Sequence, residues 1–303
     1  MIRTICLNPA IDKVYYVEDF KAGKAYHNTE PETIIGGKGI NVHKVLQQLG
    51  AVEELYCFLG GSTGDIIKKS LRNAKIFHSQ GETRTTVNII DKTNGTETEI
   101  KEKGAFVSKL EVHNFLDTLE EDLEDNDLII CSGSIGNGFG KDIYKKICHI
   151  ALSKHSKCAL DTKEKDAFKA PYFFLKPNET ELASMFDLDK ELTEDDIIRL
   201  GKELVYSGIQ NLLVTRGEKG AIFINSRDCY KVTVPQIEIR STIGSGDATV
   251  AGFCYGYSSN LPIKECLRLA MACGMSNAMV GKIGVIDLKE IEKLKKMIII
   301  EQS

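Results

Sequence analysis

Apolar positions come first in short runs and later in blocks that alternate between two periods. Residues 4–7 read as a short buried strand, which Asn8-Pro9 ends, delivering Asp12 to a loop. Residues 13–17 and 29–35 look extended, and Gly36-Gly37-Lys38-Gly39 follows. From Asn41 the apolar residues fall at Val42, Val45, Leu46 and Leu49, the spacing of one helix face, and Gly50 stands where a helix-ending glycine is expected. A glycine turn therefore opens a helix here. Residues 54–59 predict a strand, and 60–65 a turn into a helix over 66–72. Residues 84–91 and 97–103 are two β-like runs around Lys92-Thr93-Asn94-Gly95, a hairpin signal with a connection longer than the ideal two-residue turn. Both runs are polar on both faces in places, which fits a small sheet exposed on one side.

From residue 109 the pattern becomes strand–helix repeats. Helices are predicted over 108–123, 141–153, 179–187 and 194–208, and strands over 127–134, 158–161, 171–178, 211–217, 221–226 and 230–234. Helices from Asp247 and from about Pro262 close the core. This alternation predicts an α/β fold: a mostly parallel central sheet with helices on both faces and ligands beyond the carboxyl ends of its strands. Ser132-Gly133-Ser134, Lys176-Pro177-Asn178 and Thr215-Arg216-Gly217 lie at such ends. The β pairs of the first third read as an insertion on one rim rather than as a domain.

Composition narrows the partners. The 303 residues are 42% hydrophobic and 27% charged, with a formal net charge of −4. That is ordinary for a soluble chain and gives no footprint for nucleic acid or an anionic membrane. The nine cysteines form no Cys-x-x-Cys pair and several sit in apolar runs, as buried thiols in a reducing cytoplasm would. The histidines show no metal-ligand spacing with them. The amino terminus lacks a signal-peptide pattern, and no stretch approaches a membrane span. A cytoplasmic enzyme is expected.

Chemistry concentrates at Gly244-Ser245-Gly246-Asp247, followed by a small-residue run suited to a helix. Backbone N–H groups converge at a glycine turn, and a helix N-terminus adds partial positive charge, so anions bind there. An acid in that first turn is a candidate general base for phosphoryl transfer. An N-capping aspartate after a glycine loop is the plain alternative.

Several motifs occur in order: Asn8-Pro9-Ala10-Ile11-Asp12, Gly36-Gly37-Lys38-Gly39-Ile40-Asn41, Thr83-Arg84, Ser132-Gly133-Ser134, Lys176-Pro177-Asn178 with Glu181, Gly217 with Gly220-Ala221, and Thr242-Ile243-Gly244-Ser245-Gly246-Asp247. Together they resemble the PfkB (ribokinase-like) carbohydrate kinases over essentially the whole chain, and are closest in wording to bacterial 1-phosphofructokinases and tagatose-6-phosphate kinases. The resemblance implies a single kinase domain over 1–303. Its fold would be an αβα sandwich with a small β lid from segments near 13–35 and 84–103. It implies Asp247 as catalytic base, with the amides of Gly244, Ser245 and Gly246 as an anion hole. Asp12, Gly37, Lys38, Asn41, Arg84 and Ser134 would bind substrate, with Lys38 and Arg84 aimed at a phosphate already on the sugar. Thr215, Arg216, Gly217, Glu218, Lys219 and Gly220, with Asn277, would bind nucleotide. Asn178 and Glu181 would place Mg²⁺ through water, and ATP would be the donor. A monovalent cation acts in the wider superfamily. A homodimer through an exposed lid edge is an arrangement the sequence leaves open.

Four positions depart from the family's usual wording. They are Thr86, with Asn88 two further on; Ile135-Gly136-Asn137-Gly138; Thr215-Arg216-Gly217; and Asp161-Thr162-Lys163, which adds a cation near the substrate rim. The catalytic end is intact, and the sugar is less fixed. Fructose 1-phosphate going to fructose 1,6-bisphosphate is the first expectation, then tagatose 6-phosphate, then fructose 6-phosphate. A non-catalytic sugar-phosphate or nucleotide sensor is the rival of another class, although neither the acid nor the glycines are lost. A nicotinamide-dependent dehydrogenase lacks its glycine fingerprint, because the first strand runs into Asn8-Pro9.

Overall fold

In the computed structural model, which describes residues 1–27 and 30–303, β1 (Ile2–Cys6) is buried at every position. β2 (Ala10–Val17) follows directly and carries Asp12 within it, so the loop expected there is a strand. Its inward Ile11 and Val14 and its pairing with β3 (Glu32–Gly36) extend the ladder through that position. The expected start of this second segment at residue 29 lies outside the described residues. α1 (Lys38–Gln48) buries Val42, Val45 and Leu46 and ends in left-handed Gly50, as its apolar spacing predicts. After β4 (Glu53–Leu59), α2 (Gly61–Ser70) begins earlier than expected. Its first turn is capped by the carboxylate of Glu82, which accepts from the amides of Ser62 and Thr63, a contact too distant in sequence to be read from the turn itself.

β5 (Ala74–His78), unexpected from the sequence, is a half-buried edge strand without clear alternation. β6 (Thr85–Asp91) and β7 (Thr96–Lys101) form the expected hairpin, and the Asp91 carboxylate accepts from the amides of Phe20, Thr93 and Asn94, joining two lid turns. α3 (Lys109–Asp122), β8 (Leu128–Ser132), α4 (Ile143–Ser153), β9 (Lys157–Asp161) and β10 (Phe174–Leu175) carry the strand–helix alternation onward. α5 (Glu179–Met185), α6 (Glu194–Tyr206) and β11 (Asn211–Thr215) complete its parallel part. β12 (Ala221–Asn225) and β13 (Cys229–Thr233) turn antiparallel, and α7 (Ser245–Ser258) and α8 (Ile263–Val280) pack together. α9 (Leu288–Met297) and β14 (Ile299–Gln302) lie beyond the last element that the apolar pattern predicts.

The ten-stranded sheet runs β14-β13-β12-β11-β10-β9-β8-β1-β4-β5, and the second sheet β3-β2-β6-β7. From β11 to β5 every pairing is parallel. The winding reverses between β1 and β8, where Asn8 and Ser134 stand at neighbouring carboxyl ends, the place at which such sheets open a crevice. Phe115, Tyr144 and Leu200 pack one face of the large sheet, and Leu46, Phe253 and Leu267 the other. All nine cysteines are free, and all but Cys229 are buried.

Candidate active site

Gly244 takes a left-handed φ of 84° and lets the chain turn into α7, so that Asp247 falls in the first helical turn. The Ser245 amide is spent on the Thr242 carbonyl at 3.2 Å. Among the described residues the amides of Gly244, Gly246 and Asp247 have no acceptor, so two of the three expected amides stay open and that of Asp247 joins them. Asp247 is only 4% exposed, and its Oδ2 accepts from Asn41 Nδ2 at 2.8 Å. Burial pushes this carboxyl up to about 6, aided by nearby Asp161 and opposed by Lys38, Asn41 and Lys176.

The expected sugar-side residues gather on the other flank. Gly37 has φ 108°, and a Cβ there would meet Pro9 Cα at 3.0 Å and Cys6 Sγ at 3.1 Å, so only glycine lets α1 start this close to β1. A Cβ on Gly36 would lie 2.2 Å from Asp12 Oδ2, so that glycine makes room for the aspartate. Burial holds the Asp12 carboxyl above its ordinary range, against the opposing pull of Thr86 and Arg84. Arg84 donates to the Asn8 carbonyl at 3.3 Å and keeps a buried Nε without a partner, while Ser134 accepts from Asn8 Nδ2 at 3.0 Å. Asp12 and Asn88 line a cleft of about 430 Å³ between the small sheet and Ile243, the residue before the glycine turn. Asn88, which the motifs mark only as a departure from the family's wording, joins this cleft with a buried, unpartnered Oδ1.

A second cleft of about 530 Å³ lies beyond the turn, lined by Thr215, Gly217, Glu218, Gly220, Ser245 and Gly246 and by apolar Ile237 and Met275. Three expected residues do not reach it. Arg216 is held away by ion pairs from Nε to Glu179 at 2.8 Å and from Nη1 to Glu194 at 2.7 Å. Lys219 faces a different surface hollow. Asn277 is fully buried, and its Nδ2 donates to the carbonyls of Lys282 and Val285, so it fixes the loop after α8 rather than lining the cleft.

Asn178 and Glu181 cap α5 reciprocally: Asn178 Oδ1 accepts from the Glu181 amide at 2.7 Å, and Glu181 Oε2 from the Asn178 amide at 3.0 Å. They line a hollow of about 170 Å³ with Thr162 and Lys163. No cluster of three His, Cys, Asp or Glu side chains that could cage a metal occurs among the described residues. One spare carboxylate oxygen and an amide suit an ion that keeps most of its own water. Buried Asp161 and Lys176, which join the expected Lys38 beside Asp247, carry no role in the sequence motifs, although each ends an apolar strand with a charge.

The pfkB family carbohydrate kinase profile matches residues 5–291. The chain belongs to that family. Two relatives named 1-phosphofructokinase are similar along nearly their full length. The one from Borreliella burgdorferi is 33% identical over 98% of this chain and 96% of its own. That from Bacillus subtilis is 32% identical over 94% of each. The structure of phosphofructokinase-2 from Escherichia coli in complex with potassium shares the fold, with a TM-score of 0.90 at 22% identity over 97% of this chain and 98% of that one. The ribokinase-like architecture expected from the motifs is therefore this kinase family's own.

Proposed function

We propose that this pfkB kinase transfers the γ-phosphoryl group of ATP to fructose 1-phosphate, giving fructose 1,6-bisphosphate. The observation that carries the reading is Asp247, buried in the first turn of α7 next to Ser245 and Gly246 of the second cleft, beside open helix amides and hydrogen-bonded to Asn41. The cleft at Ile237 and Met275 would take the nucleotide base, and the lid cleft the sugar. Asp12 and Asn41 would hold hydroxyls, and Gly37 would let the backbone approach them. Asp247 accepts the proton of the reacting hydroxyl as the new O–P bond forms and the γ-phosphorus–oxygen bond to ADP breaks. The Gly246 and Asp247 amides and the Lys38 and Lys176 ammoniums face the charge that develops on the transferring oxygens. Asn178 and Glu181 would hold Mg²⁺ through water, and its role there is to neutralise the nucleotide phosphates.

Arg84, with its unpartnered Nε, and the name shared by the two relatives support a phosphorylated ketohexose, whereas Lys38, expected to read that phosphate, is ion-paired to Asp161 beside Asp247. An ADP-coupled assay across fructose 1-phosphate, tagatose 6-phosphate, fructose 6-phosphate, free fructose and ribose tests this. The highest kcat/KM is expected with fructose 1-phosphate, and equal turnover of free fructose would overturn a phosphate-reading pocket. Wholly exposed β7 at the edge of the lid sheet would be the pairing surface of a homodimer, which light scattering would read as twice the chain mass. Eight buried free thiols accord with the reducing cytoplasm.

A further inference from the structure

Resting on the kinase reading above, we propose that Asp161 is a positioning residue: it holds the Lys38 and Lys176 ammonium groups together under the glycine turn and so sets where positive charge meets the transferring phosphoryl group. Asp161 is the last residue of β9, and its side chain is fully buried. Its Oδ2 lies 3.2 Å from Lys38 Nζ and its Oδ1 3.3 Å from Lys176 Nζ. Three elements meet at this one carboxylate: the end of β9, the first residue of α1 and the residue after β10. The Lys176 side chain is 4% exposed, and its Nζ sits 3.3 Å from the point where a Cβ on Gly246 would stand. The Lys38 side chain is 34% exposed, leaving its ammonium reachable by a ligand.

Two ammonium groups on one carboxylate repel each other, and the buried Lys176 is costly to leave unpaired. Among the described residues neither lysine has an ion-pair partner other than Asp161. Removing that carboxylate leaves both free to separate, or to turn onto Asp247. The groups facing Asp247 are Lys38 and Asn41 from α1, Asp161 from β9 and Lys176 after β10. With Asp161 neutral, Asp247 would face two cations and no second carboxylate, and would lose its proton at lower pH.

The test is Asp161→Asn in the wild type and in the Lys38→Met/Lys176→Met background, with kcat, both KM values and the pH profile measured on a wild type already seen to produce ADP. A wild type inactive on all three ketohexose phosphates would instead count against the kinase reading itself. In the wild type, D161N is expected to lower kcat about 10²-fold or more, as losing a preorganised electrostatic group does. Both KM values should move far less, and the acid limb should shift to lower pH. In the double-methionine background, where Asp161 has no lysine to hold, D161N should change kcat less than about threefold, because residues acting as a unit are non-additive. Equal losses in both backgrounds, or an acid limb that stays put, overturn the proposal. If D161N alone does not fold, the triple variant, which leaves none of the three charges buried, decides: a further loss of about tenfold or more against its double-methionine parent overturns it.

Discussion

Asp247 must lose its proton before it can accept one, and burial holds its carboxyl up to about 6. A raised value keeps the group protonated at acid pH, so kcat/KM should fall about tenfold per unit as pH drops below that value and level off above it. Asp247→Asn keeps the shape and removes the base. It should cost about 10²–10⁴-fold in kcat and abolish the acid limb, while calorimetry still detects binding of both substrates. Near-normal turnover in this variant would remove Asp247 from its role. The neighbouring Asn41 spends one amide hydrogen on Asp247 Oδ2 and leaves a buried Oδ1 unpartnered.

At the scale of elements, the glycine-opened helices were legible because a turn and an apolar stripe sit side by side in sequence. α1, from Lys38 to left-handed Gly50, is such a case. What the sequence withheld depends on contacts between distant residues. The first turn of α2 needs the Glu82 cap, Arg216 is turned away by Glu179 and Glu194, and the triad around Asp161 joins three separate elements. The Asn178–Glu181 pair caps α5, and the proposed metal-side role would be a second use of the same motif. Serine caps about as well as asparagine, and alanine loses about 1 kcal/mol. Asn178→Ser should therefore keep the melting temperature that Asn178→Ala lowers, while both should raise the Mg²⁺ concentration needed for half-maximal rate if the amide holds a metal-bound water. Gly36→Ala bears on the lid. Its Cβ would sit on Asp12 Oδ2, so the sugar KM should rise about tenfold or more with the ATP KM unchanged, a lost ground-state contact.

Across the whole molecule, the candidate site and a second buried charge group stand at opposite ends of the large sheet. The carboxyl ends of β8, β9, β10 and β11 carry Ser134, Asp161, Lys176 and Thr215, whereas the amino ends of β1 and β8 carry a separate buried charge group. There Arg3 Nε donates to Asp127 Oδ2 at 2.8 Å and Nη1 to Glu54 Oε2 at 3.0 Å, and the amino terminus meets Asp127 Oδ1 at 2.6 Å. Burial alone would raise Asp127, but the amino terminus, the Glu124 amide and Arg3 outweigh it and hold its carboxyl below the usual range. A depressed carboxyl contributes stability that is present above its ordinary value near about 4 and is lost as pH falls through the lower folded value. Arg3→Met strips one partner and leaves Asp127 buried with less compensation, which should cost about 3–5 kcal/mol in urea unfolding at neutral pH. It should also move the acid-unfolding midpoint to higher pH. Because the two charge groups stand at opposite strand ends, kcat measured well below the melting temperature should stay unchanged in this variant. A drop in kcat without a drop in stability would mean that the two ends are coupled through the sheet.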